Sequence, residues 1–166
     1  MTFTDLGFGD AVFVDANTFL CHSGPDPVLG PPCGQLLQRI DNQELLGFTS
    51  LHVLAEVAHK MMTLEAGTLF GWPLAGMANR LRRHPAEVRK LTAFRSAVDQ
   101  VTQSRVQVLP IALPCLVSAA GIIQQTGFLI NDALIVAFMR ANALTKLASH
   151  DADFDRVLGL TCYTPA

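Results

Sequence analysis

Five short apolar runs, separated by stretches of helix-forming residues, constrain this chain more than any other feature. They are "AVFV" (11–14), "LLGFT" (45–49), "RVQVLP" (105–110), "KLASHD" (146–151) and "LTCYTP" (160–165). Each has the length of a buried strand and is too short to be a helix of ordinary size. Between them lie "CGQLLQRIDNQ", "LHVLAEVAHKMMTLEA" with Ser50 placed to cap it, "CLVSAAGIIQQTG" and "INDALIVAFMRANAL", all rich in helix formers. "CHSGPDPVLGPP" is dense in Gly and Pro and predicts a loop. Gly67 and Gly71-Trp72-Pro73 predict the end of the long helix after Ser50, and the section beyond reads as two helices divided near Pro85. Strands alternating with helices predict one α/β domain over residues 1–166. It should have three layers, α/β/α, around a mainly parallel sheet of about five strands.

Half of the residues are hydrophobic and 16% are charged, which excludes a disordered chain. The net charge of −2 gives no overall attraction to a polyanion, so a nucleic-acid partner requires a local basic patch. No apolar run is long enough to span a bilayer, and the first ten residues hold two acids and no Lys or Arg, unlike a signal peptide. The four cysteines are far apart and form no CxxC, which predicts free thiols in a cytoplasmic protein.

In open α/β sheets ligands bind beyond the carboxyl ends of the strands. Asp15 closes the first strand and Asp151 the fourth, so both are expected on that edge. Each acid also has an ordinary structural reading. Asp15 suits a turn. Asp132 suits the start of a helix, although Asn131 can cap equally well and leave Asp132 free. Glu56 forms an i,i+4 pair with Lys60 on a stripe that either faces solvent or lines a cleft. In "SHDADFDRV", Asp151 is the natural cap of a turn, Asp155 lies four residues on along a similar face, Asp153 is turned away and Phe154 anchors the turn in the core. His52 and His59 lack the i,i+4 spacing of a zinc pair, and His150 by itself reads as surface.

Taken in order, "VFVDANTFL", "FTSLHVLAEV", "INDALIVAFMRANA" and "KLASHDADFDRV" resemble the PIN domain, the nuclease fold of VapC-type toxins and related ribonucleases. The resemblance implies a carboxylate set of Asp15, Glu56, Asp132 and Asp151, supported by Asn17, Ser149 and Asp153. It implies Mg²⁺ or Mn²⁺, the ions that an all-oxygen ligand set suits. It further implies hydrolysis of RNA by water with a 5′-phosphate on one product, and, for a toxin, a small antitoxin partner and a homodimer. Clustered carboxylates repel one another and call for a compensating cation.

Residues 64–103 match no part of that pattern and make the chain longer than a minimal VapC-like toxin. Within them Arg80, Arg82, Arg83, Arg89, Lys90 and Arg95 supply six of the 12 basic residues in 16 positions, with Glu87 as the single acid. Beside a carboxylate site, such a run is expected to grip an RNA backbone. Two alternatives stand beside the ribonuclease reading. A haloacid-dehalogenase-type phosphohydrolase requires a second Asp where Asn17 stands. A non-catalytic PIN-like interaction module requires no acids at all.

Overall fold

A computed structural model describes residues 1–24 and 26–165. Strands β1 (Ala11–Val14), β2 (Leu46–Ser50), β3 (Gln107–Leu109), β4 (Lys146–Ala148) and β5 (Thr161–Tyr163) form one sheet in the order β3-β2-β1-β4-β5. Every neighbouring pair is parallel. The flanking helices are α1 (Ala16–Ser23), α2 (Gly30–Asp41), α3 (Leu51–Phe70), α4 (Met77–Arg83), α5 (Pro85–Val88), α6 (Ala93–Gln103), α7 (Leu113–Thr126) and α8 (Ile130–Ala141). This is the three-layer α/β/α arrangement expected from the alternation of patterns. No single helix among the described residues is long and apolar enough to cross a membrane.

β1 lies at the centre of the sheet because Val12, Phe13 and Val14 are all fully buried, with apolar side chains for both faces. Phe13 meets Phe138 of α8 with ring centroids 5.4 Å apart, and α8 buries an unbroken run from Ile135 to Met139. On β2, Gly47 pairs with Val12 and lies under α2 so closely that a Cβ would sit 2.7 Å from Ile40 Cδ1 and Cγ2. No larger residue fits that position without displacing Ile40, itself 1% exposed.

Several local expectations change. The chain after Asp15 is helical rather than looped: α1 runs through Cys21, His22 and Ser23, because the Asp15 carboxylate caps it at the Ala16 amide. At its other end the expected loop is shortened too, because α2 starts at Gly30 and takes up Pro31 and Pro32 in its first turn, where proline is tolerated; Pro25 lies outside the described residues. α3 passes through Gly67 and stops at Gly71, which takes φ +63. Gly67 is retained inside the helix because it lies against Leu74 and Met77, and tertiary packing outweighs its low propensity. The section from Leu74 to Gln103 makes three helices, not two, with a second break between Val88 and Ala93. The first residues edge the sheet: Thr2 bridges Thr164 beyond β5, and Arg39 donates to the carbonyls of Phe3 (2.9 Å) and Leu6 (2.6 Å).

The contact at Gly47 is directly testable. Gly47→Ala should lower stability by about 1–3 kcal/mol through overpacking. Adding Ile40→Val should restore part of that loss in urea unfolding, whereas additive losses would mean that the two positions do not press on one another.

Candidate active site at the carboxyl edge of the sheet

The strand order places β1 at the point where the chain, having built β2 and β3 on one side, returns to build β4 and β5 on the other. The crevice beyond the carboxyl ends of β1 and β4 is therefore the switch point of the sheet. Val14 pairs with Ala148, and the Asp15 amide donates to the Ala148 carbonyl at 3.1 Å. Asp15 and Ser149 thus leave adjacent strands side by side, although they are 134 positions apart in sequence.

Ser149 organises this edge. Its hydroxyl donates to Asp15 Oδ2 (2.9 Å) and accepts from Asn17 Nδ2 (2.8 Å) and from the Asp151 amide (3.1 Å). Asn17 Oδ1 accepts in turn from the His150 amide at 3.4 Å. Asp15 Oδ1 takes the Ala16 amide at 2.6 Å. Both carboxylate oxygens of a buried acid are therefore fixed, one by the start of α1 and one by the β4 terminus. Asp151 caps the 3₁₀ turn Ala152–Arg156 by accepting from the Asp153 amide at 2.9 Å, and Phe154 is buried beneath that turn. Asp153 itself is exposed and faces Arg156 at 3.5 Å.

Asp132 and Glu56 approach from the helices. The cap position of α8 is Leu129, not Asn131. Asn131 is instead used across the cleft, donating to Glu56 Oε2 at 3.1 Å. Lys60 Nζ lies 2.7 Å from the other Glu56 oxygen, and the Glu56 side chain is 21% exposed. The i,i+4 pair thus exists, with Glu56 largely covered and Lys60 still half exposed to water. Ser50 starts α3 without a capping bond and points its hydroxyl at His52 Nδ1 at 2.8 Å. Burial holds His52 below its ordinary pKa and hence neutral, so it adds no charge here.

The acids share one electrostatic field. Burial pushes the Asp15 carboxyl up to about 6, against the lowering effect of its bonds to Ser149 and Ala16, and Glu56 adds to the rise. Burial also raises Asp132, followed by the charges of Asp151, Glu56 and Asp153. Lys60 opposes the shift at both Asp15 and Asp132. This lysine, read from sequence as one half of a helix-surface pair, is a shared counter-charge for the cluster. The i,i+4 spacing from Glu56 was the only signal for it.

The donor set at this edge is entirely oxygen and suits a hard divalent cation. As the side chains stand, however, no group of three His, Cys, Asp or Glu among the described residues is placed to hold an ion. Glu56 is held by Lys60 and Asn131, and Asp151 by the Asp153 amide.

The family model of the PIN domain matches residues 12–160, and the chain belongs to the PIN domain family. None of the curated proteins matches it. Among solved structures the chain is similar to VapBC2 from Rickettsia felis bound to a DNA fragment from their promoter. The two are 17% identical with a TM-score of 0.59, over 93% of this chain and 98% of that one. It is also similar to VapC20 of Mycobacterium tuberculosis, described as a sarcin-ricin-loop-cleaving toxin, at 18% identity and a TM-score of 0.60, over 87% and 92% of the two chains. A toxin–antitoxin complex from Klebsiella pneumoniae is a third likeness, at 17% identity and a TM-score of 0.53, over 93% and 98%. These likenesses extend over the whole fold.

The raised Asp15 carboxyl gives a pH prediction whose sign is fixed. Its folded pKa of about 6 exceeds the ordinary 3.8, so the folded state binds more protons between these values. Stability is accordingly greatest below that window and falls as pH rises through it. In EDTA, the stability of Asp15→Asn relative to wild type should improve by about 2–3 kcal/mol between pH 4 and pH 7. A difference independent of pH would mean that Asp15 titrates normally.

Proposed function

We propose that this protein is a Mg²⁺- or Mn²⁺-dependent endoribonuclease, acting as the toxin of a toxin–antitoxin pair. What supports the reading is a shared field of acids at the switch point of a PIN fold: Glu56 acts on Asp15, and Asp151, Glu56 and Asp153 act on Asp132. An extensive bond network there serves to hold an acid, Asp15, that burial disfavours. Family membership and the VapC likenesses support the same activity.

Asp15, Asp132 and Asp151 would hold the ion, with Glu56 as the fourth acid facing them. When bound, the ion supplies Lewis-acid polarisation of the scissile phosphate and a more acidic water. The rest falls to the chain. Ser149 and Asn17 orient Asp15 and the start of the Asp151 turn. Asp153, at the rim, orients water. Lys60 balances the acids before the substrate arrives and sits where a phosphate would pass. RNA would reach the site across α4 and α5, where Arg82, Arg83 and Arg89 have no carboxylate partner among the described residues. Arg80 lies over Trp72, and Lys90 pairs with Glu87 at 2.8 Å, so these two contribute less freely.

The VapBC2 and Klebsiella likenesses support a small antitoxin as the partner of this chain, and the toxin reading carries with it a homodimer. A second reading, a PIN-like module without catalysis, draws on the internal bonds of Glu56 and Asp151. Cleavage of a mixed RNA panel in Mn²⁺ but not in EDTA separates the two.

Asp132→Asn should abolish that cleavage and leave the metal-free protein as stable as wild type or more so, because one repelling charge is gone. The rise in melting temperature on adding Mn²⁺ should shrink with it. A strongly destabilised variant would assign Asp132 a structural role. Neutralising Arg82, Arg83 and Arg89 together should weaken RNA binding regardless of sequence. It should also reduce the salt slope by about 0.7 per lost phosphate contact. An unchanged slope would return that stretch to ordinary surface.

A further inference from the structure

The segment that matched no motif builds a second, smaller core of its own: Ala66, Met77, Leu81 and Leu91, with Trp72 and Val88 packed against it. On its outer side α3, α4 and α5 enclose a groove of about 560 Å³. Met62, Leu81 and Val88 make an apolar floor, and His59, Arg82 and Arg89 line the polar part. A second depression of about 390 Å³ adjoins the groove: both are lined by His59 and Ala78, and the second reaches Lys60. Lys60 is the residue that touches Glu56. From Glu56 to His59, which lines the groove, is three helical residues, about 4.5 Å along the axis and on a neighbouring face of α3.

We propose that this groove is a subsite for one unstacked nucleobase of a single-stranded RNA, beside the nucleotide whose phosphate lies at the acids. The proposal rests on the ribonuclease reading and specifies its substrate. An apolar floor with a cationic rim matches a base joined to phosphates: flat, weakly hydrated faces on the floor and the negative backbone at Arg82 and Arg89. A guanidinium plane can also stack directly on a base. Glu87, next to the rim in sequence, is turned to Lys90 at 2.8 Å, and Arg82 and Arg89 have no carboxylate partner among the described residues. Double-stranded RNA keeps its bases stacked and cannot fill the groove, so the subsite selects loops and single strands.

The test uses the full-length protein in EDTA, where nothing is cut, and a fluorescein-labelled eight-nucleotide RNA with one abasic position moved along it. Fluorescence anisotropy should show one position at which removing the base weakens binding to wild type by about 5- to 150-fold. Val88→Glu, which places an anion on the groove floor, should bind the intact RNA that much more weakly and lose nothing further at the sensitive position. Arg89→Gln, at an exposed residue, tests the rim if Val88→Glu melts early. It should weaken intact RNA and shrink the abasic effect. Equal binding of all the abasic RNAs by wild type would overturn the subsite while leaving the nuclease reading intact. So would a Val88→Glu variant that binds RNA normally but no longer binds a partner protein. Absence of both RNA binding and Mn²⁺-dependent cleavage would overturn both.

Discussion

The hydroxyl of Ser149 is the point on which the site depends. It is buried, it makes three hydrogen bonds, and each goes to a different part of the site: Asp15, Asn17 and the amide of Asp151. A buried polar atom with all its capacity used specifies geometry strongly, because any displacement leaves more than one partner unsatisfied. The parallel pairing of Val14 with Ala148 brings these residues together, so the register of β1 on β4 and the shape of the site are one fact. A slip of one residue would turn Asp15 to the other face and break every one of these bonds.

Placing acids at this edge costs stability, and the molecule offsets the cost locally. Asp15 is held by two directed bonds against its burial, and Lys60 opposes the raised carboxyls of both Asp15 and Asp132. Glu56 is held between Lys60 and Asn131, which come from different helices. The cluster is thus only partly balanced: one lysine faces several acids, and the carboxyls of Asp15 and Asp132 stay raised. Stability and function compete here, as expected where like charges are gathered on a rigid scaffold.

The division of labour between the two cores follows from packing. The main core takes both faces of β1, the buried run of α8 and the inner side of α6 through Ala97 and Val101. α4 and α5 contribute nothing to it and close instead on Met77, Leu81 and Leu91 beneath the far end of α3. Glu65, on α3, ties this part down by accepting from the Thr92 amide at 2.9 Å and the Ala93 amide at 2.9 Å. A small unit anchored in this way can present a charged surface without disturbing the sheet.

The alternation of apolar strands with helical runs was readable because its causes are local: side-chain periodicity, β-branched runs and Gly or Pro punctuation. The same locality made Asp15, Asp132 and Asp151 legible as the ends of elements, since a strand terminus or helix start leaves its mark within a few residues. α1 is not legible because its initiator, Asp15, equally suits a turn and the Gly- and Pro-rich stretch begins inside the helix. Asn131 suits a cap by its local position, whereas its hydrogen bond runs 75 positions away to Glu56. Lys60 looked like surface because nothing within its own helix reveals what that helix faces. The sequence by itself determined the five strands, the helices α2, α3, α7 and α8, their order and the acids at their ends. Tertiary structure alone decided which partners those acids have and how far burial shifts Asp15. Charges and hydrogen bonds act through space, and the distances that set them exist only once the helices have docked on the sheet.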